Sequence, residues 1–129
     1  MSNWFSIEGK TALVTGGSRG IGEMIAAGFL INGARVYINS RKADVCDETA
    51  ARLANTHGGD CVSVPGDISD LGGIENVYNE IAKREERLDI LVNNAGSTWG
   101  APIDEFPESG WDKVMDTNVK GIFFLTQKM

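Results

Sequence analysis

Thr15, Gly16, Gly20 and Gly22 stand in the order T-G-x-x-x-G-x-G within "TALVTGGSRGIGEMIAAGF", residues 11–29. That spacing suits one task, the holding of a phosphate. Glycines let a backbone turn sharply and approach an anion, and a helix N-terminus adds unpaired N–H groups with partial positive charge. A glycine cluster by itself describes a tight turn equally well. Here an apolar, strand-like run precedes the cluster and a helix-like run follows it, which favours the cradle. "EGKT" (8–11) contains G-K-T, but a nucleoside-triphosphate P-loop would need glycine where Trp4 stands. It would also need a strand before the motif, whereas this one precedes the strand.

A second group with chemical meaning is "INSRK" (38–42). In a dinucleotide site the end of the second strand meets the adenosine ribose. An acid there suits the 2′-hydroxyl of NAD, and a base suits the 2′-phosphate of NADP. The segment offers Ser40, Arg41 and Lys42, with no acid before Asp44, and Arg19 in the glycine loop is a further cation. Two basic residues at a helix start oppose the helix dipole, so an anion explains them better than chance does. NADP is the expected cofactor, ahead of NAD. A methyltransferase with a similar sheet fits less well, because it would want an acid at this point.

The elements that must position these residues alternate along the chain. "TALVT" (11–15), "ARVYIN" (34–39), "CVSVP" (61–65) and "DILVN" (89–93) read as strands. Residues 21–32, 43–57 and 69–87 have helical spacing, with Gly stops in "NGA" (32–34) and "HGG" (57–59). A last helix runs from near Gly110 to Met129. The order β-α-β-α-β-α-β-α implies a parallel sheet with helices on both faces, an α/β doubly wound fold of Rossmann type in one domain, residues 1–129. The strands lack clean polar–apolar alternation, as expected when both faces are covered.

Composition narrows the function. The chain has 129 residues, is 42% hydrophobic and 23% charged, and carries a net charge of −6. It is expected to be globular and to have neither nucleic acid nor membrane as a main partner. The apolar runs fall short of the roughly 20 residues of a membrane span. The N-terminus lacks the basic start and apolar run of a secretory signal. With only Cys46 and Cys61, far apart, a reducing cytoplasmic setting is expected, and no metal site is implied.

With "TGGSRGIG" (15–22), "GDISD" (66–70), "NNAG" (93–96) and Asn118 in "DTNVKGIF" (116–123), the chain resembles the short-chain dehydrogenase/reductase family, compact branch. The wording is most similar to NADP-dependent carbonyl reductases of the 3-oxoacyl-thioester type. The resemblance implies that Gly16, Ser18, Arg19, Gly20, Ile21 and Gly22 line the pyrophosphate and adenosine ribose, with Arg41 at the 2′-phosphate. Asp67 and Ile68 would meet the adenine, and Asn94, Ala95 and Gly96 the ribose and nicotinamide side. Asn118 would help hold a water linking the site to solvent. Plainer roles exist: Asp67, Ser69 or Asp70 as a helix cap, Asn93 and Asn94 as partners of strand-end backbone. For Asn118 the functional reading is stronger. Mid-helix Asn costs roughly 0.7 kcal/mol against Ala, and on a face with Val114, Met115, Ile122 and Leu125 its amide must find partners or cost about 1–3 kcal/mol.

Carbonyl reduction also needs a proton donor beside the carbonyl oxygen. In the family a Tyr gives the proton, a Lys four residues later tunes it, and a Ser orients the carbonyl. Four residues after Tyr37 stands Arg41, and four after Tyr78 stands Ala82, so neither fits. His57 beside Gly58 suits a helix end. The family's members are about twice this long, and "DILVN" would form an apolar sheet edge that invites association. A fragment, inert by itself, is therefore expected; a non-catalytic short form that binds nucleotide or joins full-length subunits is the alternative. Trp111, Met115, Ile122, Phe123 and Phe124 give the last helix more apolar surface than one sheet face needs, in line with the homo-oligomers of the family. The substrate would be a small carbonyl compound or acyl thioester, with Trp99 and the segment to Pro107 near it or merely packed.

Overall fold

The computed structural model describes residues 3–129. Four parallel strands, β1 (Thr11–Thr15), β2 (Arg35–Asn39), β3 (Cys61–Ser63) and β4 (Ile90–Val92), lie in the order β3-β2-β1-β4. Thr11 to Thr15 pair in register with Arg35 to Asn39, and Ala12 to Val14 pair with Ile90 to Val92. The order reverses between β2 and β4 on either side of β1. In such sheets ligands bind in the crevice beyond the carboxyl ends of the strands at that reversal.

Successive side chains of β1 and β2 enter different cores, and both cores are apolar. Val14, Val36 and Ile38 pack under α1 (Gly20–Ile31) and α2 (Ala43–His57), against Ala26, Leu30, Cys46, Ala50 and Leu53. Leu13 and Tyr37 point the other way, to Val64 and to Val77 and Ile81 of α3 (Leu71–Ala82). Full burial of a side chain such as Leu13 or Ile38 stabilises the fold by roughly 1.5–3 kcal/mol. The doubly wound α/β fold expected from the sequence is the fold observed. No helix among the described residues is long and apolar enough to cross a membrane.

Boundaries differ where local chemistry intervenes. Strand β3 ends at Ser63, short of the expected 61–65, although the Val64 and Gly66 N–H groups still donate to the Ile38 and Ser40 carbonyls at 2.9 and 3.0 Å. Helix α3 is shorter than 69–87: Asp70 caps its start by accepting from the Gly73 N–H at 3.1 Å, and residues 67–69 form their own turn. At the end of α2 the stop is Gly58 at φ 72°, so the capping role expected of His57 belongs to its neighbour. The last helix is not one piece. It runs as α4 (Glu108–Met115), a π-helical stretch (Asp116–Gly121) and α5 (Ile122–Lys128). Trp111 and Met115 before the π stretch and Phe123 after it are exposed, while Leu125 is fully buried. A 3₁₀ turn at Ile103–Glu105 adds an element that the sequence reading lacked.

At the opposite end of the sheet from the crevice, Glu85 accepts from Arg35 Nη1 at 2.7 Å and from the Tyr37 hydroxyl at 2.8 Å. The Arg35 hydrogen bond, helped by that of Tyr37, holds the Glu85 carboxyl below its ordinary 4.5. Burial, with the hydrogen bond to Glu85, pushes Tyr37 from 10.0 up to about 12. The signs follow from proton linkage. The Glu85 contribution is present above pH 4.5 and is lost as pH falls through its lowered value. The Tyr37 contribution is present below pH 10.0 and is lost as pH rises through about 12. Urea unfolding of Tyr37→Phe should therefore show a flatter loss of stability over the alkaline window than the parent. A parent profile as flat as the variant's would contradict this.

Candidate nucleotide-binding cleft

The crevice beyond β1, β2 and β4 is a cleft of about 520 Å³. Gly16, Ser18, Arg19 and Gly20 line it from the loop after β1, and Asn39, Ser40, Arg41, Lys42 and Val45 from the end of β2 onward. Gly66, Asp67 and Ile68 line it after β3, and Asn94, Ala95, Gly96 and Ser97 after β4.

The glycine loop has its shape because only glycine allows it. Gly16 and Gly20 sit at φ 62° and 57°, in left-handed backbone that other residues rarely adopt. A Cβ on Gly22 would run into the Gly16 carbonyl oxygen and reach 2.6 Å from Asn94 Nδ2. The first turn of α1 is thus seated directly on the loop. No side chain caps α1, so its first-turn N–H groups are left for a ligand at the positive end of the helix.

Three surrounding segments fix the loop. Thr49 of α2 donates its hydroxyl to the Ser18 carbonyl at 2.9 Å, and the Gly17 N–H donates to the Asn39 carbonyl at 3.0 Å. Asn39 Nδ2 in turn donates to the Val64 and Gly66 carbonyls, tying the β2 and β3 ends together. From β4, Asn94 Nδ2 reaches the Thr15 carbonyl at 3.1 Å and the Gly16 carbonyl at 3.3 Å. The Thr15 hydroxyl, fully buried, accepts from the N–H groups of Asn94 at 3.1 Å and Ala95 at 3.0 Å.

The charge on the cleft wall is mostly positive. Arg19, Arg41 and Lys42 line it, and among the described residues no ion pair involves any of the three. Asp67 also lines the cleft, with its carboxylate held by its own turn, accepting from the Ser69 N–H at 3.0 Å and hydroxyl at 2.7 Å.

Of the residues singled out from sequence, Gly16, Ser18, Arg19, Gly20, Arg41, Asp67, Ile68, Asn94, Ala95 and Gly96 meet in this one cleft. Ile21 does not line it: its side chain is 69% exposed on the outside of α1. Gly22 supports the loop from behind, and the residue of the π turn that lines the cleft is Thr117. Asn118 stands beside it, half-buried. Its carboxamide accepts from the Ser97 N–H and donates to the Ser97 carbonyl, both at 2.8 Å. Val45 and Ser97 were missed by sequence reasoning, since neither stands inside a quoted motif; Thr117 was missed although it precedes Asn118 in "DTNVKGIF". Asn39 was missed too, although a polar residue ending the apolar run "RVYI" was a usable signal.

Neither tyrosine is placed for proton transfer in the cleft. Tyr37 is buried in the sheet with a raised pKa, opposite to what a donor near neutral pH needs. The Tyr78 ring lies on α3 under the Lys128 ammonium, 4.8 Å from its centroid.

The family model described as short chain dehydrogenase matches residues 10–129. A rhamnolipid-biosynthesis 3-oxoacyl-(acyl-carrier-protein) reductase of Pseudomonas aeruginosa is 49% identical over 129 residues, covering 100% of this chain and 50% of that protein. A solved RhlG/NADP active-site complex from Pseudomonas aeruginosa has a TM-score of 0.91 at 49% identity, over 99% of this chain and 49% of that one. The L-sorbose reductase of Gluconobacter frateurii, solved with NADPH and L-sorbose, has a TM-score of 0.92 at 31% identity, over 96% and 47%. The chain spans about half the length of these relatives.

Proposed function

This chain belongs to the short-chain dehydrogenase family, and on that premise we propose that it is the NADP-binding part of an oxidoreductase that interconverts a carbonyl and a hydroxyl. The observation that carries the reading is the set of three unpaired cations, Arg19, Arg41 and Lys42, on a cleft built around a glycine loop. A dinucleotide fits this donor set. Its pyrophosphate takes the N–H groups at the start of α1, and the 2′-phosphate takes Arg41 with Arg19 and Lys42. In this reading Asp67 and Ile68 meet the adenine, and Asn94 to Ser97, on the far side of the strand-order reversal, meet the nicotinamide end.

When bound, NADPH supplies a hydride to a carbonyl; the chain's own residues orient the cofactor and set its charge preference. Asn118 is a positioning residue: it fixes Ser97, and one N–H and one lone pair of its carboxamide are left for a water. Within these 129 residues no Tyr is followed four positions later by Lys. The chain is therefore proposed to bind NADPH without turning over a carbonyl by itself. A 3-oxoacyl thioester is the proposed substrate class. A soluble cytoplasmic setting and self-association of the complete enzyme belong to the same reading.

Titration with NADPH and NADH tests it. The parent chain should bind NADPH more tightly and should not consume it when a ketone is added. Arg41→Ala should weaken NADPH about tenfold, one charge-assisted phosphate contact at an exposed site, and leave NADH nearly unchanged. Equal losses for both would remove Arg41 from the 2′-phosphate.

A further inference from the structure

We infer that Trp99 is the wall against which the non-reacting, hydrocarbon part of the substrate packs, and that Gly110 is the residue that positions it. The inference rests on the cofactor reading above, which sets the substrate beside the Asn94–Ser97 end of the cleft.

Trp99 follows Ser97, which lines the cleft, by two residues. The segment is held rather than loose. Asn118 grips Ser97 through its N–H and carbonyl, both at 2.8 Å, and the Ser97 hydroxyl donates to the Lys113 carbonyl at 3.3 Å. Beyond it the indole lies flat on buried Gly110. A Cβ there would stand 2.7 Å from Cγ and Cδ1 of the ring, so no larger residue leaves the ring in place. The Lys113 ammonium stands 5.8 Å from the ring centroid. Yet 42% of Trp99 remains exposed.

A glycine inside a helix costs roughly 1 kcal/mol relative to alanine. Here it creates a socket that orders an aromatic ring without covering it. A partly open indole, seated on Gly110 two residues beyond the cleft-lining Ser97, is a preformed apolar contact surface, which loses little entropy when a chain of methylenes settles on it.

The test uses the chain saturated with NADP and a medium-chain 3-oxoacyl N-acetylcysteamine thioester as probe, with affinity read by calorimetry and indole fluorescence. Trp99→Ala and Gly110→Ala should each weaken the probe by about tenfold or more. Trp99→Phe, which keeps an aromatic ring in the socket and guards against a folding defect in the alanine variants, should fall between. NADPH affinity should stay at the parent value in all three, a separation that simple destabilisation would not give. Unchanged probe affinity in Trp99→Ala, or a parent chain that binds NADPH but not the probe, would overturn the inference alone. A parent chain that fails to bind NADPH would overturn the cofactor reading and this inference with it.

Discussion

Gly22→Ala is expected to abolish measurable NADPH binding and to lower stability by about 3 kcal/mol, at the top of the usual range for overpacking. For a domain of this size that corresponds to roughly 10 °C in Tm. The added methyl has nowhere to go. It would overlap the Gly16 carbonyl oxygen and approach Asn94 Nδ2, and both are backbone or locked to backbone. Relief requires α1 to lift off the loop, which moves the first-turn N–H groups away from the position of a phosphate. Gly28→Ala, at a helical glycine whose Cβ would meet nothing within 4 Å, is the control. It should keep NADPH binding and gain slightly in Tm. Parent-like binding by Gly22→Ala would mean that the loop is softer than its contacts indicate.

The second large effect is expected at Thr15. Replacement by valine keeps the shape and removes the hydroxyl that organises the segment after β4. The Asn94 N–H keeps a second acceptor, the Val92 carbonyl at 3.0 Å, but Ala95 has only Thr15. An orphaned donor costs about 1–3 kcal/mol when buried; Ala95 is partly buried, and the fully buried Thr15 hydroxyl also gives up its own bond to the Val92 carbonyl. Thr15→Val should lose about 2 kcal/mol, speed hydrogen exchange at the Ala95 amide, and weaken NADPH through the displaced Asn94–Gly96 segment. Thr15→Ser, which retains the hydroxyl, should recover the exchange protection. Unchanged exchange at Ala95 in the valine variant would refute the anchoring role.

Much of the cleft was legible before any fold was known. Gly16 and Gly20 signal backbone that other residues avoid, and Arg41 and Lys42 stand at a helix start where electrostatics disfavours them. Such features depend on a few neighbours in sequence, so the sequence carries them openly. Ile21 shows what a motif leaves open: it names a position, and the fold turns the side chain outward, so only the backbone N–H in the first turn of α1 is available for the proposed role. Asn118 shows another limit. Its need for hydrogen-bond partners was evident from its helical, apolar neighbours, whereas the choice of Ser97 required the chain to fold back across 21 positions. The π turn at Asp116–Gly121 left no periodic signature, because six residues are too few to distinguish two helical periods.

The sequence by itself determined the alternation of strands and helices, the double coverage of the sheet, the phosphate-binding character of the first loop, and the positive charge opposite the adenosine end. Each follows from local periodicity, backbone preference or residue charge. The tertiary structure alone decided that Thr15 anchors the segment after β4, that Asn39 ties the ends of β2 and β3, and that Gly110 seats Trp99. Those are contacts between segments distant along the chain. The first two exist only once parallel pairing has brought the carboxyl ends of β1 to β4 together, the third only once α4 has packed back on the segment after β4, and no local property of either partner encodes which partner it meets.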